Sequence, residues 1–181
     1  MKPIQTYYKG YHFRSRLEAR WAVFFQTMHV HWVYKAEGYI LKNGVWYLPD
    51  FLIKLADGPL WCEVKPHGEE SPEFEMFMCE RPTNERGTVL HDIPDPEDLS
   101  VADDNNSFDG YYGGKGCDTN HQFCICPKCD AVGFQYEGRV ERVPCGCDFN
   151  TGARHHTPGH NRIKTAYAKA RAQRFEHGHT G

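Results

Sequence analysis

The 181-residue chain predicts an α/β fold, because a strongly amphipathic helix is followed by strand patterns and then by a second helix pattern. Residues 15–28, SRLEARWAVFFQTM, place apolar side chains at steps of three and four, and Ser15 is a suitable N-cap. Residues 31–65 instead alternate and are rich in aromatic and β-branched side chains, which is typical of strands. The first half of the chain therefore has the order helix, strands, hairpin, helix, strand.

Turn signals divide the strand-rich stretch into short strands. Asn43-Gly44 is a strong hairpin signal, and Gly58-Pro59 predicts the turn of a second hairpin. Ser71-Pro72 predicts the N-terminus of a short second helix. The predicted strands are 31–35, 38–41, 45–48, 51–55, 60–65 and 87–93.

The net charge of -3 is unevenly distributed along the chain. Residues 1–65 carry nine Lys/Arg and five Asp/Glu, residues 66–119 carry three and fourteen, and residues 120–181 carry nine and five. The two basic ends permit contact with nucleic-acid phosphates. An acidic middle that is merely solvated would need no partner, so the charge alone does not identify one.

Composition also predicts how the chain is divided. Residues 96–120 are acidic, Gly-rich and aperiodic, which predicts a linker. A cysteine cluster with strand-like stretches near 134–136 and 140–143 follows, and then an amphipathic helix with a basic outer side over 161–175. The predicted division is a core at 1–95, a linker at 96–120, and a metal module with a C-terminal helix at 121–181.

The first residues, MKPIQTYYKG, lack the apolar stretch of a signal peptide, and no segment has the length and hydrophobicity of a membrane span. These features predict a cytoplasmic protein with reduced thiols and no membrane partner. In that compartment a cluster of cysteines binds metal more often than it forms disulfides.

Three charged side chains converge at the ends of the second predicted hairpin. Glu63 and Lys65 point to the same side of one strand, and hairpin pairing brings Asp50 within reach of them. Two neighbouring carboxylates repel unless a cation or a proton lies between them, and carboxylate oxygens suit Mg²⁺ or Mn²⁺. A lysine beside such a metal can orient or help deprotonate water, so this set is suited to phosphodiester hydrolysis.

The order Pro49-Asp50, twelve residues, then Glu63-x-Lys65 resembles the PD-(D/E)XK nuclease superfamily. The stretch YKGYHFRSRLEARWAVFF, with Glu18 in its helix, and the strand GVWYLPDF resemble the version found in phage-encoded and other small nucleases. The resemblance covers about residues 7–95. It implies a restriction-endonuclease-like core, in which a mixed β-sheet is flanked by helices, and it implies DNA as the partner and the host cytoplasm as the location of a phage-encoded protein.

The same resemblance implies roles for individual residues. Asp50 and Glu63 would bind Mg²⁺ or Mn²⁺, and Lys65 would handle the attacking water. Glu18 would complete the metal or water shell, and the carbonyl group of Val64 is a further metal ligand in such sites. Because many nucleases cut both strands as dimers, a homodimer is a candidate assembly.

Each of these residues also has a simpler interpretation. Glu18 stands three residues after Ser15, so the pair forms a capping box without any catalytic role. Asp50 simply begins a strand, and Glu63 with Lys65 forms a solvated strand face. The alternative function is a non-catalytic zinc-containing nucleic-acid-binding or regulatory protein on the same fold, and a structural interaction module is a third hypothesis.

The cysteine cluster predicts a zinc site. Cys126-Pro-Lys-Cys129 fits a zinc knuckle, and Cys145-Gly-Cys147 follows after fifteen residues. The pattern resembles a zinc ribbon, although its second pair has one intervening residue where the ribbon usually has two. The predicted ligands are Cys126, Cys129, Cys145 and Cys147, with Cys124, His155 or His156 as substitutes for the fourth. Cys62 and Cys79 are predicted to be inert, and Cys117 has no predicted role.

Overall fold

The structure, a computed structural model, describes residues 4–99, 107–114, 116–149 and 158–175. Its α-helices are α1 (Arg16–Thr27), α2 (Pro72–Cys79) and α3 (Asn161–Ala172). Its first strands are β1 (Thr6–Tyr8), β2 (Tyr11–Phe13), β3 (His31–Tyr34), β4 (Tyr39–Ile40), β5 (Trp46–Tyr47) and β6 (Phe51–Leu55). The later strands are β7 (Gly58–Val64), β8 (Arg86–Leu90), β9 (Phe108–Tyr112), β10 (Gly116–Ile125) and β11 (Val132–Tyr136).

Seven of the strands form one mixed sheet in the order β11-β10-β9-β8-β7-β6-β3. Strands β7 and β8 are parallel and are connected through α2, whereas every other neighbouring pair is antiparallel. Helices α1 and α3 pack on one face, and α2 with the β4–β5 hairpin packs on the other. The predicted α/β class, with a large mixed sheet between helices, is therefore confirmed.

The larger core lies between the sheet and the pair α1 and α3. Most of the apolar stripe of α1 is buried, with Trp21, Phe24 and Phe25 at 0 % exposure. Tyr167 of α3 stacks on Phe24 with 4.5 Å between ring centroids. Burial of side chains of this size contributes roughly 1.5–3 kcal/mol each. This packing fixes the position of α1, which begins after Ser15 as predicted.

The linker prediction was wrong for the described part of 107–120. Strand β9 and the first half of β10 lie there, so the predicted boundary at residue 120 falls inside a strand. Two glycines in this segment are required by close packing. A Cβ atom at Gly110 would lie 2.7 Å from the ring of His121, and one at Gly113 would lie 1.9 Å from the carbonyl oxygen of Pro82. Strands from all three predicted segments consequently share one sheet.

Two further local predictions differ from the structure. Residues 140–143 were expected to form a strand, but Val140–Arg142 is a 3₁₀ helix. The antiparallel hairpin β1–β2 was missed. Its turn, Lys9-Gly10, has φ values of 48° and 81°, which suit a tight two-residue hairpin turn with glycine at the second position.

Candidate functional site

Asp50 lies directly before β6 and opposite Glu63 when the antiparallel register of β6 and β7 is continued by one residue. Its side chain is buried, with 1 % exposure. Oδ2 accepts a hydrogen bond from the backbone N–H of Val64 at 3.0 Å. Oδ1 lies 2.8 Å from Arg14 Nη2 and 3.0 Å from Lys35 Nζ. Two cations and one amide therefore compensate a carboxylate that water does not reach.

Glu63 is also buried, and it lies within reach of both a lysine and a tyrosine. Lys65 Nζ is 3.2 Å from Oε1, as expected for two residues on one side of a strand. Tyr47, in β5, donates its hydroxyl to Oε2 at 2.6 Å. Burial and then the negative charge of Asp50 raise the pKa of Glu63 to about 7, against the opposing effects of Tyr47 and Lys65.

Glu18 serves as part of the α1 cap and also faces the site. Ser15 Oγ accepts from the backbone N–H of Glu18 at 3.1 Å and donates to Glu18 Oε1 at 3.0 Å, so Ser15 is the N-cap of α1 as predicted. Oε2 accepts from Tyr34 at 2.5 Å and from the backbone N–H of Arg14 at 3.2 Å. Burial and the charge of Asp50 raise the pKa of Glu18.

The four predicted residues thus come together at one end of the sheet, beside the carboxyl ends of the parallel strands β7 and β8. Arg14 links two of the acids, with Nη2 2.8 Å from Asp50 and Nε 3.9 Å from Glu18. A cleft of about 510 Å³ opens next to them and is lined by Arg14, Glu18 and Lys65 among others. The charge of Asp50 acts on both glutamates, so the three carboxylates form one electrostatic unit.

This unit suits a divalent cation in charge and ligand type. Three buried carboxylates repel one another, and a cation between them relieves that repulsion. In the described arrangement the three acids do not all lie within 4.8 Å of one another. Arg14 and Lys35 neutralise Asp50 there instead. The side chain of Arg14 is 59 % exposed, so one of the two cations that neutralise Asp50 reaches it from the solvent side.

Four residues of the site were missed from the sequence: Arg14, Tyr34, Lys35 and Tyr47. Their signal is weak, because a lysine or tyrosine at a strand end is common on any sheet. Strand β3 pairs with β6, which places Tyr34 and Lys35 beside the start of the Asp50 strand. Only this pairing between separate strands identifies Tyr34 and Lys35 as part of the site.

The predicted zinc ligands form a compact set. The sulfur atoms of Cys126, Cys129, Cys145 and Cys147 all lie within 4.8 Å of one another. Among the described residues, no other group of three or more His, Cys, Asp or Glu side chains meets that distance. Four thiolates at this spacing match a tetrahedral structural zinc site, so this cluster could bind zinc.

Backbone groups of the Cys126 turn are arranged for a thiolate. Desolvation acts to raise the pKa of Cys126, but the N–H groups of Lys128 and Cys129 donate to its sulfur and bring the pKa down to about 7. The positive φ of Asp130 closes the turn. The first pair therefore has the features of a metal-binding knuckle.

The alternative ligands have different positions. Cys124 is buried in β10, outside the set of four, and burial raises the pKa of its thiol. His155 and His156 lie outside the described residues. Cys62 is fully buried in the main core, whereas Cys79 is exposed rather than buried as its apolar context suggested.

No protein-family model matches the sequence, and a search of curated proteins found no significant match. None of the helices in the described ranges combines the length and the hydrophobicity that crossing a membrane requires.

Proposed function

We propose that the protein is a metal-dependent nuclease that hydrolyses phosphodiester bonds of DNA, acting as an endonuclease with Mg²⁺ or Mn²⁺. The observation that carries this proposal is the convergence of Asp50, Glu63 and Lys65 across the β6–β7 hairpin. Lys65 Nζ lies 3.2 Å from Glu63, and Asp50 lies opposite Glu63. Buried acids of this kind have little structural purpose, because apolar residues of similar size would pack without the cost of removing charges from water.

The arrangement of the elements supports a restriction-endonuclease-like core. The acids stand on an antiparallel hairpin, and the second hairpin strand leads through α2 into the parallel strand β8. Helix α1, which packs on one face of the sheet, supplies Glu18. This is the order helix, hairpin, helix, strand on which the resemblance to PD-(D/E)XK nucleases depends.

In this proposal Asp50 and Glu63 hold the divalent cation, and Glu18 completes its shell. When bound, the cation would polarise the scissile phosphate and offset its negative charge. Lys65 is 29 % exposed and faces the cleft, so it can hold the attacking water and stabilise the charge that develops on the phosphate oxygens. A P–O bond to that water forms as the water gives up a proton, the bond to the leaving oxygen breaks, and the leaving oxygen takes up a proton.

The cysteine cluster supports a zinc-ribbon-like structural site. Cys126, Cys129, Cys145 and Cys147 would each donate one thiolate. The small cluster of apolar side chains around them includes Val140 and Val143, which is too little core to hold this segment in place without the metal. Zinc would thus fix the segment that follows β11 against the end of the main sheet. A reduced cytoplasmic environment, the host cytoplasm for a phage protein, suits such thiolates.

The test is cleavage of labelled single-stranded, duplex and branched DNA with Mg²⁺ or Mn²⁺. The expected result is cutting that requires the metal and is lost in Glu63→Gln and Lys65→Ala. The matched control is Glu97→Gln, which removes an exposed carboxylate and is expected to cut normally. Absence of cutting on every substrate, with DNA binding retained, would favour the non-catalytic nucleic-acid-binding alternative.

A further inference from the structure

A second cleft, of about 610 Å³, lies between the β1–β2 hairpin and the C-terminal ends of α1 and α3. We call it the basic cleft, and its polar and aromatic lining comprises Tyr8, Lys9, Gln26, Lys169, Gln173 and Arg174. Tyr8 packs edge-on against Phe175, with 6.2 Å between ring centroids. This contact holds the hairpin beside the end of α3, so Lys9, Lys169 of α3 and Arg174 just after it line the same cleft.

The cations of this cleft have no structural task in the described part of the chain. Residues 158–175 contain five Lys/Arg and no Asp/Glu. Arg162 donates to the carbonyl oxygen of Asp130, and Arg171 donates to that of Ile93. Lys169 and Arg174 are exposed and form no salt bridge with any described carboxylate.

The same surface continues into an aromatic cleft of about 480 Å³ that shares Lys9 and Gln26 with the basic cleft. Tyr11 and Trp32 line it, with their ring centroids 4.9 Å apart, and no acidic residue lines either cleft. Cations for phosphates beside aromatic rings for bases are the features of a nucleic-acid surface.

Helix α1 connects this surface to the candidate active site. Glu18, near the N-terminus of α1, lines the 510 Å³ cleft beside the candidate active site. Gln26, near the C-terminus of the same helix, lines the basic cleft. Eight residues of helix span about 12 Å, which is roughly three to four phosphate spacings along one DNA strand. A strand whose backbone lies in the basic cleft therefore reaches the site within a few nucleotides.

We infer that the basic cleft binds the phosphate backbone of DNA flanking the cleaved bond, with Lys9, Lys169 and Arg174 as phosphate contacts. This inference takes DNA as the substrate from the proposed function. It adds a binding surface that lies on α3 and the hairpin, away from the catalytic residues.

The test compares Lys169→Glu/Arg174→Glu with a matched double variant, Lys42→Glu/Lys54→Glu, whose exposed lysines line neither the basic cleft nor the aromatic cleft. Binding of a labelled single-stranded oligonucleotide is measured without divalent metal over a range of NaCl concentrations. The first variant is expected to bind about tenfold more weakly at low salt, and its salt-dependence slope is expected to fall by about 1.4, the share of two phosphate contacts. The matched variant is expected to retain the larger part of the affinity, and thermal melting checks that both remain folded.

Unchanged affinity and slope in the first variant, or failure of the wild type to bind the oligonucleotide, would overturn the inference. Binding of phosphatidylserine vesicles in preference to DNA, lost in the same variant, would overturn it in favour of a membrane surface. Cleavage is assayed separately. DNA binding that depends on the cleft without any metal-dependent cutting would remove the nuclease proposal alone, whereas cutting with no dependence on the cleft would remove this inference alone.

Discussion

Replacing Glu63 with glutamine is expected to stabilise the protein at alkaline pH while it abolishes cleavage. Glu63 is buried beside the carboxylate of Asp50, and these two causes raise its pKa to about 7 from an ordinary 4.5. Folding therefore favours the protonated form of this side chain. Glutamine keeps the shape of the protonated acid and cannot ionise.

The pKa shift sets the size of the effect. An acid whose pKa is higher in the folded than in the unfolded protein contributes to the unfolding free energy. That contribution is complete at pH values below the unfolded-state pKa, and it is lost as the pH rises through the folded-state pKa. Each pKa unit corresponds to about 1.36 kcal/mol, so the wild type is expected to lose about 2–3 kcal/mol between pH 5 and pH 8 through Glu63. The glutamine variant lacks this loss.

The measurement is the unfolding free energy from urea denaturation at pH 5 and pH 8 without divalent metal. We expect the difference between variant and wild type to shift by about 2–3 kcal/mol in favour of the variant at pH 8. Glu97→Gln, which changes an exposed carboxylate, serves as the control and is expected to show no such shift. If the unfolding free energies of variant and wild type differ by the same amount at pH 5 and pH 8, Glu63 does not have the raised pKa of a buried acid.

The same experiment with Mg²⁺ connects stability to the proposed function. A ligand that binds only the folded protein raises its unfolding free energy. Mg²⁺ at pH 8 is thus expected to stabilise the wild type more than Glu63→Gln, because the variant lacks one of the proposed metal ligands. Equal stabilisation of the two proteins would count against Glu63 as a ligand.

Lys65→Ala is expected to reduce cleavage by roughly 10²–10⁴-fold with DNA affinity retained, and a parallel loss of affinity would contradict its proposed role at the attacking water. Tyr34→Phe removes the 2.5 Å hydrogen bond to Glu18 and is expected to lower the unfolding free energy by about 1.5–3 kcal/mol at pH 8. An unchanged denaturation midpoint would contradict this prediction. Elemental analysis is expected to find one zinc per chain in the wild type and in Cys79→Ser, and none in Cys129→Ser. Zinc retained in both variants would refute the four-cysteine site.

Local sequence was sufficient for the elements that carry the candidate site. Helix α1 was predictable because its apolar side chains recur at helical spacing and Ser15 caps it. The β6–β7 hairpin was predictable because two apolar runs flank a Gly-Pro turn, and that pairing alone put Asp50 beside Glu63. The four cysteines were predictable because short spacings limit how far apart two thiols can lie.

Local sequence failed where the structure depends on distant contacts. The glycine-rich composition of the segment after Ser107 predicts a flexible linker. In the structure, two of its glycines instead allow His121 and Pro82 to pack closely against the backbone. The hairpin β1–β2 is short and polar at its turn, so its strands gave too few residues for a pattern. In both cases the determining partner lies elsewhere in the chain.

The sequence by itself determined the elements that carry the candidate site, α1 and the β6–β7 hairpin, and the residue types available for chemistry, because helical and strand periodicity are properties of neighbouring residues. The tertiary structure alone decided that Arg14 and Lys35 neutralise Asp50 and that Tyr47 donates to Glu63. It also placed the cations of α3 against the β1–β2 hairpin. These contacts join residues far apart in the chain, and their positions follow from how the sheet and helices pack, which no local pattern encodes.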